Sequence, residues 1–249
     1  MKRTIISLLL AAGILASLAA ETPDFQAMLA KIDDQTNFTG QDISMTMTIV
    51  TDAPGKDRDI MKSRFFRRDK DDKFLLLIEQ PDVQKGQGYL KIDDNMWFYD
   101  PNTRDFSHTS IKEKVGTSQA NNEDFTNSSL VKDYKVVSGE EGKLGKFEVW
   151  ILTLEATNNK VTYPMEKLWI TKDQLLVLKS EDYSLSKRLM RTSLYTNYMP
   201  LNKRFIPQVM IFVDNLNPGN KSQLSMSDVN LGSIPDSVFT KAYVERVSK

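Results

Sequence analysis

The stretch Lys85–Arg104, KGQGYLKIDDNMWFYDPNTR, decides the fold. Two apolar runs, Gln87 to Asp93 and Asn95 to Asp100, meet at Asp93-Asp94-Asn95 and end at Pro101-Asn102. That is the pattern of an antiparallel hairpin followed by another turn. A surface strand of such a sheet alternates apolar with polar. Met96, Trp97, Phe98 and Tyr99 are apolar on both parities, so both faces need cover here. Trp97 and Tyr99 share one face, read as an inner lining, and Met96 and Phe98 the other, read as an outer apolar layer. Gly86 and Gly88 lack the third glycine and following helix of a phosphate cradle, so they read as a bend.

The same period of two recurs on both sides. In Asp42–Thr51, Ile43, Met45, Met47 and Ile49 alternate with Ser44, Thr46 and Thr48, the mark of a half-buried strand. Further strands are predicted at 59–68, 74–78 and 106–111, then at 134–137, 146–155, 166–171, 175–183, 187–198, 204–214 and 222–230. Between Lys112 and Lys132 the composition turns to Gly, Ser, Asn and Glu, which predicts a mobile loop with one short helix, of the kind that often forms a lid. Thr22–Asp34 predicts a helix, with Thr22 as N-cap, Pro23 in the first turn, and Phe25, Met28, Leu29 and Ile32 in one apolar stripe. The fold class is therefore α+β, mainly antiparallel β, with about 10–12 strands in a strongly curved sheet. The N-terminal helix and a short central helix are expected to cover its concave face.

Lys2 and Arg3 precede an uncharged run that ends in small residues at Ala20. This reads as a secretory signal peptide over residues 1–20, cleaved after Ala19 or Ala20, with a single domain over 21–249. No later run approaches the ~20 apolar residues of a membrane span. Loss of Lys2 and Arg3 lowers the basic count of 33 by two against 33 acids, a near balance that argues against nucleic acid or other polyanions as partners. Lys62, Arg64, Arg67 and Arg68 read as solvated strand faces. With no cysteine in the chain there is no disulfide, thiolate nucleophile or acyl-anchoring cysteine. No metal site and no cofactor are expected, since His108 is the sole histidine.

Candidate chemistry is sparse. Ser107-His108-Thr109-Ser110 sets an imidazole among hydroxyls, but strand neighbours point to opposite faces and no Gly-x-Ser-x-Gly elbow occurs. His108 therefore reads as an ordinary strand residue. The acid pairs Asp71-Asp72, Asp93-Asp94 and Glu140-Glu141 read as turn residues. What remains is apolar excess: Leu75–Ile78, Met96–Tyr99, Val149–Leu152 and Leu175–Leu178 are apolar on both parities, and methionines lie in or beside many strands. In a meander with few helices this suits a sheet wrapped around a cavity.

The succession Lys85-Gly-Gln-Gly-Tyr-Leu90, Met96-Trp-Phe-Tyr-Asp-Pro-Asn-Thr-Arg104, Glu123-Asp-Phe-Thr-Asn-Ser-Ser-Leu130, Glu166-Lys-Leu-Trp-Ile-Thr171 and Ile234-Pro-Asp-Ser-Val-Phe-Thr240 resembles the outer-membrane lipoprotein-sorting protein family, the LolA-like superfamily. The resemblance covers nearly the whole chain beyond the leader, and Asp124–Asn127 matches a Ser-Asp-Phe-Ser-like motif in part. It implies a half-open barrel that receives acyl chains of a lipoprotein or lipid, in a monomeric, non-enzymatic periplasmic carrier free of a lipid anchor. Some relatives are associated with an inner-membrane ABC-type or RND-type exporter. A lipid-hydrolysing enzyme relying on His108, and a non-carrier envelope component docking a membrane complex, are the alternative readings. Strand parity selects Met45, Met47, Trp97, Tyr99, Trp150, Leu152, Leu176 and Leu178 as the acyl cavity lining, with Phe25, Leu29 and Phe125 from the plugging helices.

Overall fold

The structure is a computed structural model, and it describes residues 23–248. The leader read from the sequence lies outside them. Thirteen strands form one antiparallel sheet: β1 (Asp42–Asp52), β2 (Asp59–Arg68), β3 (Lys73–Gln80), β4 (Gly88–Ile92), β5 (Asn95–Asp100), β6 (Asp105–His108), β7 (Tyr134–Leu144), β8 (Phe147–Ala156), β9 (Met165–Thr171), β10 (Val177–Tyr183), β11 (Leu189–Leu201), β12 (Arg204–Asp214) and β13 (Lys221–Gly232). Their spatial order is β6-β5-β4-β3-β2-β1-β13-β12-β11-β10-β9-β8-β7. The chain enters in the middle, steps outward to one edge at β6, and resumes at the other edge with β7. It then steps back until β13 pairs β1, with Met47 opposite Met226 and Ile49 opposite Leu224.

This order forces the path of residues 109–133, which must span the sheet from one edge to the other. They do so along the inner face, where Val115, Ala120, Asn122 and Phe125 are buried. The loop expected here is therefore a strap laid along the inner face. Its polar groups are satisfied locally: Asn122 donates to the carbonyl of Ser110 at 2.9 Å, and Ser118 Oγ to that of Val115 at 2.7 Å.

Helix α1 spans Phe25–Thr36 and begins at Asp24, whose side chain accepts from the Ala27 amide, so the cap is Asp24 and not Thr22. Its stripe Met28, Leu29 and Ile32 packs on Leu152, Leu154, Leu168 and Ile170 of the inner face. Phe25 meets Trp150 edge to face at 5.5 Å between ring centres. The short helix α2, Leu130–Asp133, ends the strap.

A third helix, α3 (Lys241–Val247), follows β13, and Thr240 caps it by accepting from the Tyr243 amide. Val244, with Val238 and Phe239 before it, packs on Leu75, Leu90 and Tyr99, with Trp97 alongside. This second core lies on the outer face. Register assigns the faces: Met96 and Phe98 sit opposite Lys91 and Tyr89, while Trp97 and Tyr99 sit opposite Leu90 and Gly88. The inner pair is thus Met96 and Phe98, which join the large inner core with Phe65, Phe74 and Tyr89. The parity expected from the sequence is reversed, because the cover supplied by α3 turned the larger aromatics outward. Gly86, in the left-handed region at φ 84°, supplies the bend before β4, and a Cβ there would lie 2.7 Å from the carbonyl oxygen of Ser248.

Arg67 and Arg68, read as solvated, are largely enclosed. Arg68 pairs with Asp42 at 2.8 Å, and Arg67 with Asp69 at 2.7 Å. Glu140 and Glu141 lie within β7, not in a turn.

Because Leu29 is fully buried between α1 and the sheet, Leu29→Ala should lower unfolding free energy by about 2–5 kcal/mol. A urea titration reads this, and an unchanged midpoint would mean that α1 does not pack as described.

Candidate functional site

A cavity of about 300 Å³ lies on the inner face, between α1, the strap and the sheet. Ile32 of α1 and Leu130 of α2 form one side. Leu168, Val177, Tyr195, Tyr198, Ile206 and Met210 form the sheet side, and Ile43 and Met45 of β1 close the far end. Alternation places them there: Tyr195 opposes Met210, and Met210 opposes Leu224, so one continuous apolar row faces inward.

Two arginines reach this space. Arg67 of β2 donates to the carbonyls of Thr36 at 2.9 Å and Thr126 at 3.1 Å. It thereby ties the end of α1 and the end of the strap to the same strand. Asp69 fixes that guanidinium and also accepts the Phe38 amide at 2.5 Å. Arg191 of β11 does the second tying. Its Nε donates to Asp182 at 2.7 Å, and its two terminal nitrogens donate to Asp124 of the strap at 2.6 and 3.0 Å. Such a fork is the strongest geometry available to a carboxylate and a guanidinium.

Around Arg191 lies a buried polar wall. Glu166, Asp182 and Arg191 oppose one another in sequence across β9, β10 and β11. Tyr134 Oη donates to the Tyr163 carbonyl at 2.9 Å and lies 2.7 Å from Glu166 Oε1, accepting from that carboxyl when it is protonated, and Asn121 Nδ2 donates to Tyr163 Oη at 2.8 Å. Burial, then the nearby Asp182 carboxylate, pushes Glu166 up to about 8, and Glu123 and Asp182 are raised chiefly by burial. Burial opposes the charge of Arg191, but Asp124 and Asp182 outweigh it and keep the guanidinium charged. The wall therefore holds the neutral Glu166 carboxyl beside Arg191 and its two carboxylate partners at neutral pH.

Of the residues selected from sequence, Met45 and Leu176 line the cavity. Leu29 and Leu152 are sealed beneath α1, with Phe25 and Trp150 packed against the same cluster. Met47 and Phe125 belong to the large inner core, and Leu178 is half-buried in β10, outside the lining. Trp97 and Tyr99 lie on the opposite face of the sheet under α3. His108 is on that outer face too, exposed on edge strand β6 and 5.5 Å from the Trp97 ring. The Glu166–Asp182–Arg191 row was missed because a charge in a strand reads as a solvent face. The available signal was parity, since Glu166 alternates in phase with Leu168 and Ile170, both buried.

A family model described as an uncharacterized protein matches residues 70–246. Among solved structures, a LolA superfamily protein from Nitrosomonas europaea is 26% identical over 88% of this chain and 98% of its own, with a TM-score of 0.77. An outer membrane lipoprotein-sorting protein domain from Vibrio parahaemolyticus matches with 20% identity over 89% and 98%, at 0.78. A DUF1329 family protein from Desulfovibrio piger does so with 20% identity over 88% and 98%, at 0.79. The last two likenesses are of fold. No curated protein sequence gives a significant match.

The protonated Glu166 makes stability depend on pH. Its pKa is raised from 4.5 to about 8, so the folded chain binds the proton that the unfolded chain has released. This contribution is complete below the unfolded value and is lost as pH rises through the folded one. The urea midpoint should fall between about pH 5 and pH 9, and Glu166→Gln should flatten that slope. An equal slope in the variant would assign the effect elsewhere.

Proposed function

The chain belongs to the uncharacterized protein family whose model spans residues 70–246, a LolA-like family, and from that premise we propose that it is a periplasmic carrier of acyl chains. The cargo is a lipid or the acyl chains of a lipoprotein, moved through water in the inner-face cavity as a monomer, in exchange with an inner-membrane exporter of ABC or RND type. The leader read from the sequence supports the compartment. Among the described residues no helix is long and apolar enough to cross a membrane.

The observation that carries this reading is the largely apolar cavity between α1 and the open sheet. Each methylene moved from water into such a lining contributes ~0.8 kcal/mol, so about ten of them supply ~8 kcal/mol, the micromolar range before ordering costs. The hydrolase alternative draws no support from position, because the imidazole of His108 sits across the sheet from the cavity.

Native mass spectrometry of protein purified from its own envelope should show a co-purifying lipid. Met210→Trp, which fills the cavity, should reduce lipid occupancy several-fold, whereas Trp97→Ala on the outer face should leave it unchanged. An interior that is empty in every preparation, or loss of lipid in the Trp97 variant alone, would overturn the proposal.

A further inference from the structure

The polar wall of the cavity is unbalanced. Glu123, Asp124, Glu166 and Asp182 all lie within electrostatic reach of Arg191. The guanidinium spends its donors on Asp182 of the sheet and Asp124 of the strap, with a longer contact of 3.5 Å to the Gln119 carbonyl. It stacks over the rings of Tyr163 and Phe212, at 4.9 and 5.0 Å from their centres, contacts that hold whichever carboxylate it faces. The strap is seated through this fork, because Asp124 also accepts the Asn121 amide at 2.7 Å and so fixes the turn Asn122–Phe125.

Glu166 is set into this arrangement from several sides. Tyr134 of β7 is hydrogen-bonded to it, Leu154 of β8 opposes it as an apolar neighbour, and Asp182 of β10 opposes it on the other flank. Arg191 of β11 and Glu123 of the strap also act on it electrostatically. Asp214, opposite Arg191 on β12, is already occupied by the Leu216 and Asn217 amides, the Asn217 side chain and Lys114. Among the described residues, the cation that a carboxylate formed at Glu166 meets is Arg191, which holds the strap.

We infer that a proton on the Glu166–Asp182 pair sets the grip of Arg191 on Asp124, so that the strap stays seated while the pair is protonated and loosens when the proton leaves. The proton passes from the carboxyl group to a base in solvent, and no other bond forms or breaks. Ionised Glu166 then repels Asp182 and Glu123 and draws the guanidinium towards β9 and β10, away from Asp124. The strap also lines the cavity, through Asp124 and Thr126, so loosening it opens the space around any occupant. That consequence rests on the carrier reading; the clamp itself does not.

Hydrogen exchange on ligand-free protein tests the clamp. Amides of residues 119–126 are compared with those of β1 and β13 at about pH 6 and about pH 9, with labelling times scaled to intrinsic exchange. The wild type should lose about tenfold protection in the strap relative to the reference strands at the higher pH. Glu166→Gln should keep it at both, and Asp124→Asn should already show the loosened strap at pH 6. Equal protection of the wild-type strap at both pH values overturns the inference, as does an unchanged loss in Glu166→Gln or a fully protected strap in Asp124→Asn. Should Glu166→Gln fail to fold, the wild type and the Asp124 variant still decide. Lipid occupancy is read separately, so an empty cavity with a responsive strap defeats only the carrier reading, and a filled cavity with an indifferent strap defeats only the clamp.

Discussion

The crossing from β6 to β7 is the constraint on which the rest of the structure depends. Two meanders share one sheet, and the chain leaves the first at one edge and enters the second at the other. A connection between opposite edges has to run over a face, and backbone laid on an apolar face needs partners for its polar groups. The strap finds them within itself and in Arg67, Tyr89 and Ser222, and Arg191 holds it through the Asp124 side chain. An otherwise apolar interior therefore acquires two guanidinium anchors and a wall of carboxyl groups. With α1 packed beside the strap, the inner face can be neither fully solvated nor fully filled. The cavity is the space left between these two fillers and the sheet.

The outer face follows different physics. Along β3 to β6 it is covered by α3 and the turn before it, through Val238, Phe239 and Val244. A sheet clad on both sides there explains why its strands carry no polar parity, and why apolar residues on two faces are not by themselves a sign of a ligand. On the β8 to β13 side the inner face alone carries α1 and the cavity, and exposed ion pairs such as Lys143–Glu148 decorate the hairpin beyond them. Pairs of that kind favour solubility more than stability.

Much of the fold was legible. Alternation in Ile43–Ile49 and the i, i+3, i+4, i+7 stripe of α1 each report one buried face, and both gave the right element. Which face of β5 looks inward was not legible, since Met96–Tyr99 offers apolar residues to either side and the choice was made by α3, some 140 residues away in sequence. The full course of the strap was not legible for a related reason. Polar composition marks a loop, but only the strand order says that this loop runs inside. Of the site, Met45 and Leu176 were recoverable from parity, whereas Glu166, Asp182 and Arg191 became visible only when three strands aligned them in one row.

The central claim is that the inner face around the strap, and not the outer face under α3, receives an apolar chain. Photocrosslinking with a diazirine-bearing fatty acid, mapped by peptide mass spectrometry, tests it most directly. Adducts should fall on residues such as Met45, Leu168, Tyr195 and Met210 of the cavity lining, and unlabelled lipid should compete them away. Adducts confined to Trp97, Tyr99 and the α3 side, or spread over the surface without competition, would contradict the account.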